Sequence, residues 1–246
     1  NGQGMQTTLR ALLNFGHDLQ EGVHDLRGFL GDEQIKHDCN EFRAWRQNFV
    51  SNDLRQLDLG NADTRGNAGF GDEWALRSVF GRINYSILGR YLFEANARYD
   101  GSSRFAEGNR FGLFPSFSAG WRISEEPFFN LDFIDELKLR ASWGQLGNQD
   151  VPLYSYYSTV SVTQPYWFGG SVHDGAAATR MANQDISWEA TTVTDIGFDA
   201  AFFQGRLSLS GDIYNRRTED ILLNVPIPSM VGRSAPFINA GAVENR

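Results

Sequence analysis

Polar and apolar residues alternate one by one along much of this chain, over runs too long and too regular to be anything but β-strand. From Tyr91 to Asp100, one side carries Tyr91, Phe93, Ala95, Ala97 and Tyr99, and the other Leu92, Glu94, Asn96, Arg98 and Asp100. From Leu113 to Ser124, Leu113, Pro115, Phe117, Ala119, Trp121 and Ile123 face Phe114, Ser116, Ser118, Gly120, Arg122 and Ser124. Leu137, Leu139, Ala141 and Trp143 alternate with Lys138, Arg140, Ser142 and Gly144, and Ile196, Phe198, Ala200 and Phe202 with Asp195, Gly197, Asp199 and Ala201. Successive side chains of a strand point to opposite faces, so each run makes one apolar and one wet face. A helix would scatter the same charges around its cylinder.

Weaker alternation at Thr7–Phe15, Val23–Gln34, Ala75–Tyr85 and Arg206–Leu222 brings the expectation to about eight strands, several longer than the usual five or six residues. Such lengths suit the ~9–11 residues of a tilted strand that crosses a bilayer. The connections alternate too. Short links are expected near Gly16–Gly22, Ser86–Arg90, Glu125–Glu136 and Gln204–Gly205, and long ones at Ile35–Asp72, Gly101–Gly112, Gln145–Trp188 and after Arg216. One tight rim and one elaborated rim describe an up-and-down antiparallel transmembrane β-barrel. Aromatic residues at the strand ends fit two interfacial girdles, Tyr85, Tyr91, Trp121 and Phe202 by the short turns and Trp74, Tyr99, Trp143 and Trp188 by the long loops.

Composition narrows the function. With 22 basic and 30 acidic residues the formal charge is −8, which argues against a nucleic-acid partner. A single cysteine, Cys39, excludes an intrachain disulfide. No apolar run is long enough for a membrane-spanning helix, and the first residues lack the pattern of a signal peptide. A mean hydropathy of −0.39 is compatible with a barrel, in which only alternate residues meet lipid.

Motifs for catalysis are missing: there is no phosphate-binding glycine loop, His-Glu-x-x-His or Gly-x-Ser-x-Gly. Gly169-Gly170-Ser171-Val172-His173 lacks the last glycine of a nucleophile elbow and reads as loop. His37-Asp38-Cys39 offers three ligand types, but adjacent side chains diverge, so it reads as surface loop, and His17, His24 and His173 have no ligand spacing. Asn61-Ala62-Asp63-Thr64-Arg65-Gly66 begins like a calcium loop but puts Arg65 where an oxygen ligand belongs. Glu125-Glu126-Pro127 is expected to open a short helical turn, and Asn84-Tyr85-Ser86 is a glycosylation sequon at a strand end. No enzyme activity, cofactor or metal is expected. The stretch best suited to ligand contact is Tyr154–Arg180, where Tyr154, Tyr156, Tyr157, Tyr166, Trp167 and Phe168 offer flat aromatic faces for sugar rings or peptide side chains. Packing of the loop over the barrel mouth explains the same residues equally well.

Several stretches resemble the barrel of SusC/RagA-type TonB-dependent outer-membrane transporters. These are Arg98-Tyr99-Asp100-Gly101-Ser102-Ser103-Arg104-Phe105, Gly112-Leu113-Phe114-Pro115-Ser116 and Ala119-Gly120-Trp121-Arg122-Ile123-Ser124-Glu125-Glu126. Leu137-Lys138-Leu139-Arg140-Ala141-Ser142-Trp143-Gly144, Leu146-Gly147-Asn148-Gln149 and Asn183-Gln184-Asp185-Ile186-Ser187-Trp188-Glu189 continue the likeness. So do Asp220-Ile221-Leu222-Leu223 and Asn239-Ala240-Gly241-Ala242-Val243-Glu244-Asn245-Arg246, while the first seventy residues match in layout more than in wording.

The resemblance implies that residues 1–246 are part of a plugged barrel of about 22 strands. The plug domain, TonB box and C-terminal strands are expected outside them. It further implies outer-membrane import of oligosaccharides or peptides, with a SusD-like surface lipoprotein and the TonB complex as partners. Strand phase adds that Glu94, Arg98, Arg122, Lys138, Arg140, Asp195 and Asp199 face the lumen, because a midplane Arg or Lys against lipid costs roughly 2–4 kcal/mol. The alternatives are a passive porin and a soluble β-sandwich that binds carbohydrate.

Overall fold

A computed structural model describes residues 2–19, 23–53 and 56–246. Nine strands form one antiparallel meander: β1 (Gly2–Leu19), β2 (His24–Trp45), β3 (Gly66–Ile87), β4 (Tyr91–Ser102), β5 (Phe111–Arg122), β6 (Ile134–Asn148), β9 (Glu189–Phe202), β10 (Leu207–Glu219) and β13 (Ala242–Asn245). Each strand pairs with the next in this order. Two hairpins stand apart from the sheet, β7 (Val160–Phe168) with β8 (Ser171–Ala178), and β11 (Leu222–Asn224) with β12 (Phe237–Asn239). The eight expected strands are all present, and the ninth is the short β13 entered from Asn239.

Register makes the two faces explicit. Residues directly opposite in an antiparallel ladder share a face. Tyr85–Phe93–Ala119–Ala141–Ile196–Ile213 is one such row, and Val79–Tyr99–Leu113 is another. Along this face Leu13, Leu30, Ile83, Phe93, Phe117, Leu139, Ile196, Leu209 and Ile213 are exposed. The opposite face carries the polar set. Period two alone was enough to find it across β4 and β5, where one face is apolar throughout; on β2 and β3 the same face also carries the Asp32–Arg77 pair.

Where that contrast ends, the sequence reading falls short. β2 runs on to Trp45 and β3 starts at Gly66, so the paired ladder invades the loop expected at Ile35–Asp72 and leaves only 46–65 as connection. Residues 35–45 put polar side chains on both faces, Lys36, Asp38 and Asn40 on one and His37, Glu41 and Arg43 on the other, and the scattered Ile35, Phe42 and Trp45 make no sustained alternation to detect. β1, expected at Thr7–Phe15, spans Gly2–Leu19, so Gly16–Leu19 is strand, and the rest of the link near Gly16–Gly22 includes 20–22, outside the described residues.

The remaining connections are 88–90, 123–133 and 203–206 at one rim, and 46–65, 103–110, 149–188 and 220–241 at the other. The alternation is real but uneven, since 123–133 exceeds 103–110. The β3–β4 turn is tight because Leu88 and Gly89 both take positive φ (53° and 66°), the twist that matches a two-residue hairpin.

The packed apolar core is in the loops, not in the sheet. Phe105, Val151 and Ile186 are buried, with Tyr156, Trp188, Leu222 and Phe237 against them. Three connections therefore meet in one cluster. Asn239 binds it further: its Oδ1 accepts from the Ser187 N–H (2.8 Å), and its Nδ2 donates to the Ser187 and Asp220 carbonyls (both 2.9 Å). Trp188 Nε1 donates to the Arg110 carbonyl (2.9 Å), and Arg104 to that of Val151 (2.7 Å).

Candidate functional site

The polar face is a wall of ion pairs arranged in rows across the ladders. Glu94, Ser118, Ser142 and Asp195 lie in one register row, and Arg122, Lys138 and Asp199 in another, with Arg140 opposite Gly120. Arg98 is four residues from Glu94 on the same strand and so on the same face. All seven charges singled out in the sequence therefore share one face.

They form separate groups. Arg140 contacts three carboxylates: Asp212 at 2.5 Å, Asp199 at 3.2 Å and Asp195 at 3.4 Å. One guanidinium spans three strands there and leaves an excess of negative charge. Arg98 donates to Asp100 (2.8 Å) and to Ser78 (2.8 Å), stands 3.5 Å from Glu33 and lies over the Phe80 ring. Glu33 also accepts from Arg10 Nε at 2.6 Å and is 5% exposed, so its charge is matched from two strands. Glu94 accepts from Asn96 (2.8 Å), with Arg82 at 3.6 Å. Arg122 reaches only the Gly89 carbonyl (3.4 Å), and Lys138 lines a concavity of about 400 Å³ with Glu94, Arg140 and Asp195. Arg10, Glu33, Arg82 and Asp212 belong to this wall without having been read from the sequence, and Asp100, which the alternation puts on the side of Glu94 and Arg98, joins their charges. Strand phase alone would have found Asp212, whose strand begins immediately after a short turn.

The six aromatic residues of the long loop separate into two groups. Tyr156 packs on the buried loop cluster, and its phenol pKa is raised, first by burial and then by its neighbour Tyr157. Tyr154 takes a positive φ of 61° and ties the loop to β3, its hydroxyl accepting from the Glu73 N–H (3.1 Å). Tyr157 packs on Tyr156 with the rings tilted by 37° and their centroids 4.2 Å apart. Tyr166, Trp167 and Phe168 instead stand at the tip of the β7–β8 hairpin, 52%, 71% and 69% exposed. The tip turns through Gly169 and Gly170, both with positive φ, so the segment read as loop is a hairpin turn running into β8.

Two further expectations are corrected. Trp74 and Trp188 do not join a rim girdle: Trp74 points to the polar face, stacked on His37, and Trp188 packs between Phe105 and Phe114. Tyr99 and Trp143 do lie on the apolar face, as do Tyr85, Tyr91 and Trp121. Glu125 is the last residue of the short turn Ile123–Glu125 and Glu126 follows it, so the pair closes the turn rather than opening it. Glu126 is 8% exposed and accepts from the Tyr91 hydroxyl (2.6 Å) and Trp121 Nε1 (3.0 Å), with Arg90 at 3.5 Å. These hydrogen bonds, the Tyr91 one first, hold its carboxyl below the usual carboxylate pKa. Asn61 caps a short turn, its Oδ1 accepting from the Asp63 N–H.

Comparison with known proteins decides the family. The profile described as "TonB dependent receptor-like, beta-barrel" matches residues 1–246. The chain belongs to this family. It is 42% identical over 173 residues to TonB-dependent receptor P39 of Formosa agariphila, covering 70% of this chain and 16% of that protein. It is 37% identical over 232 residues to TonB-dependent receptor SusC of Bacteroides thetaiotaomicron, covering 91% and 22%. In three dimensions it superposes on the RagAB peptide transporter with a TM-score of 0.89 and 26% identity, covering 99% of this chain and 27% of that one. The chain thus spans less than a quarter of the length of these curated relatives. The motifs that carried the SusC/RagA likeness have a structural meaning: Arg104, Phe105, Ile186, Trp188 and Asn239 are the residues that knit the loops together.

Proposed function

We propose that the intact protein is an active importer of the outer membrane, taking up an oligosaccharide or peptide too large for passive pores, with this chain as part of its barrel wall. The apolar face meets lipid, and the ion-pair face, including Glu94, Arg98, Arg122, Lys138, Arg140, Asp195 and Asp199, lines the lumen. The observation that carries the reading is the separation of the two faces over strands long enough to cross a bilayer, combined with the RagAB likeness across 99% of the chain. A face this apolar and this extended is not one a soluble monomer leaves to water.

The cross-linked loops form the outer rim, and the exposed Tyr166–Phe168 tip contacts the solute or a SusD-like surface lipoprotein closing over the mouth. Energy comes from the TonB complex acting on parts of the protein beyond this segment.

Deletion of the gene in the producing organism tests this, with uptake of labelled peptides and labelled oligosaccharides measured in the deletion strain and in a strain lacking TonB. Loss of uptake of one solute class in both strains is expected and names the substrate. Uptake that depends on the gene but survives loss of TonB, with an open conducting pore in planar bilayers, would show a passive porin. Recovery of the intact protein in the soluble fraction would overturn both readings.

A further inference from the structure

Past the last β3–β4 pair, Leu76–Ser102, the β1–β2–β3 ladder continues towards the long-loop rim, and three metal-ligating side chains meet on it. His37 and Cys39 are two residues apart on β2 and so share a face. Asp72 on β3 is the register partner of Cys39. Asp38 points the other way, and it is Asp72, brought in by the ladder, that completes the set. One ligand atom from each residue lies within 4.8 Å of the other two.

Two more observations point to a ligand. Among the described residues His37 Nδ1 is buried without a hydrogen-bond partner, and the other ring nitrogen stands 4.0 Å from Asp72 Oδ1, beyond hydrogen-bond reach. Buried polar atoms in folded proteins are nearly always satisfied, so an orphan on a ring that faces a carboxylate needs an explanation. The acids lower on the same face, Glu33 and Asp100, are both matched by arginines, whereas among the described residues no arginine or lysine pairs with Asp72. The imidazole is held by stacking on Trp74 (centroids 5.8 Å apart), and Gly4, opposite Cys39 on β1, leaves the approach open.

We infer that His37, Cys39 and Asp72 bind a zinc ion. Nitrogen, thiolate and carboxylate together form a donor set suited to this borderline-soft metal. Tetrahedral zinc at 2.0–2.3 Å sets its ligand atoms roughly 3.3–3.8 Å apart, so closure takes side-chain movements of about 1 Å. Three protein ligands leave a fourth position for water or a donor group of a bound solute. The site does not depend on the import reading, since it rests on the β2–β3 register alone.

Cobalt(II) titration of the full-length protein, purified in detergent and stripped of metal with a chelator, tests it. Expected are one cobalt per polypeptide, a thiolate-to-cobalt charge-transfer band, and displacement by zinc. Cys39→Ser should abolish the band, and His37→Gln and Asp72→Asn should each weaken zinc binding by at least about tenfold. His17→Gln, remote from the site, should bind as the parent does. Resistance of the folded barrel band to unfolding in unboiled gels confirms that each variant is folded. Absence of the band from the folded parent, its survival in Cys39→Ser, or zinc affinity unchanged in all three variants would overturn the assignment.

Discussion

Replacing Ile196 by arginine separates the two faces of the wall more sharply than any other single change. Ile196 is 64% exposed on the apolar face, between Ala141 and Ile213 in register, and roughly mid-way along the part of β9 that would cross lipid. Arginine there must hold a guanidinium in hydrocarbon, at a cost of roughly 2–4 kcal/mol near the midplane. That is roughly a 30- to 900-fold shift in the folding equilibrium. Ser118→Arg is the matched control. Ser118 lies on the other face, opposite Glu94, so a new guanidinium gains a wet surface and a carboxylate. Its effect should stay within about 1 kcal/mol. Urea unfolding of the full-length protein in lipid vesicles, followed by tryptophan fluorescence and by the folded band in unboiled gels, gives both values. Equal destabilisation by the two variants, or a larger effect of Ser118→Arg, would refute the assignment of faces and with it the lumen.

Other perturbations probe the rims. Because hydrogen bonding lowers the Glu126 pKa in the fold, its contribution is complete above the unfolded value near 4.5 and is lost as pH falls through the lower folded value. Protection of the 123–133 link against hydrogen exchange, with the intrinsic pH dependence of exchange divided out, should therefore fall on acidification in the parent, and be low and insensitive to pH over that window in Glu126→Gln. Phe105→Ala removes the centre of the loop cluster and should cost about 3–5 kcal/mol there, seen as proteolytic nicking within 149–188 while the sheet stays folded. Trp167→Ala, at an exposed hairpin tip, should change stability by less than about 0.5 kcal/mol yet weaken binding of solute or lipoprotein in a pull-down. Unchanged binding in that variant would remove the tip from the recognition surface.

The sheet was legible in the sequence wherever its two faces meet different surroundings. Phe93 beside Glu94, or Ile196 beside Asp195, announces a strand and its orientation at once. At His37–Trp45 the ladder is just as regular, but charged and amide side chains stand on both faces, Phe42 and Trp45 come only near its end, and the reading as loop failed. Contacts between distant segments were hidden for a different reason. Asp72 reaches Cys39, Asn239 reaches Ser187 and Trp188 reaches Phe105 only through register and loop packing, which no local period encodes. Trp74 and Trp188 show the hazard of reading position along a strand without its phase. A tryptophan near a rim is an interfacial residue only if it points outwards, and these two do not. Glu126 was visible as an acid near a turn, but its role as acceptor for Tyr91 and Trp121 required the turn to fold back over the strand ends.

The two parts of the chain are stabilised by different means, and the difference follows from their surroundings. Within the sheet, backbone ladders satisfy the main chain, and under the proposed function the side chains of each face address a medium, lipid on one side and a polar lumen on the other. A packed interior is not needed there, and among the described residues the buried apolar side chains of the sheet amount to Ala200. The long connections, which the same reading puts in water on the outer rim, can use neither device. They must bury something of their own, and Phe105, Val151 and Ile186 do so, sealed by Asn239 and Trp188. A rim built this way is packed at its base and exposed at the β7–β8 tip. A surface that must recognise a solute or a lid without disturbing the barrel beneath it needs that combination, so variation in substrate among relatives should concentrate at the tip and spare the residues that form the seal.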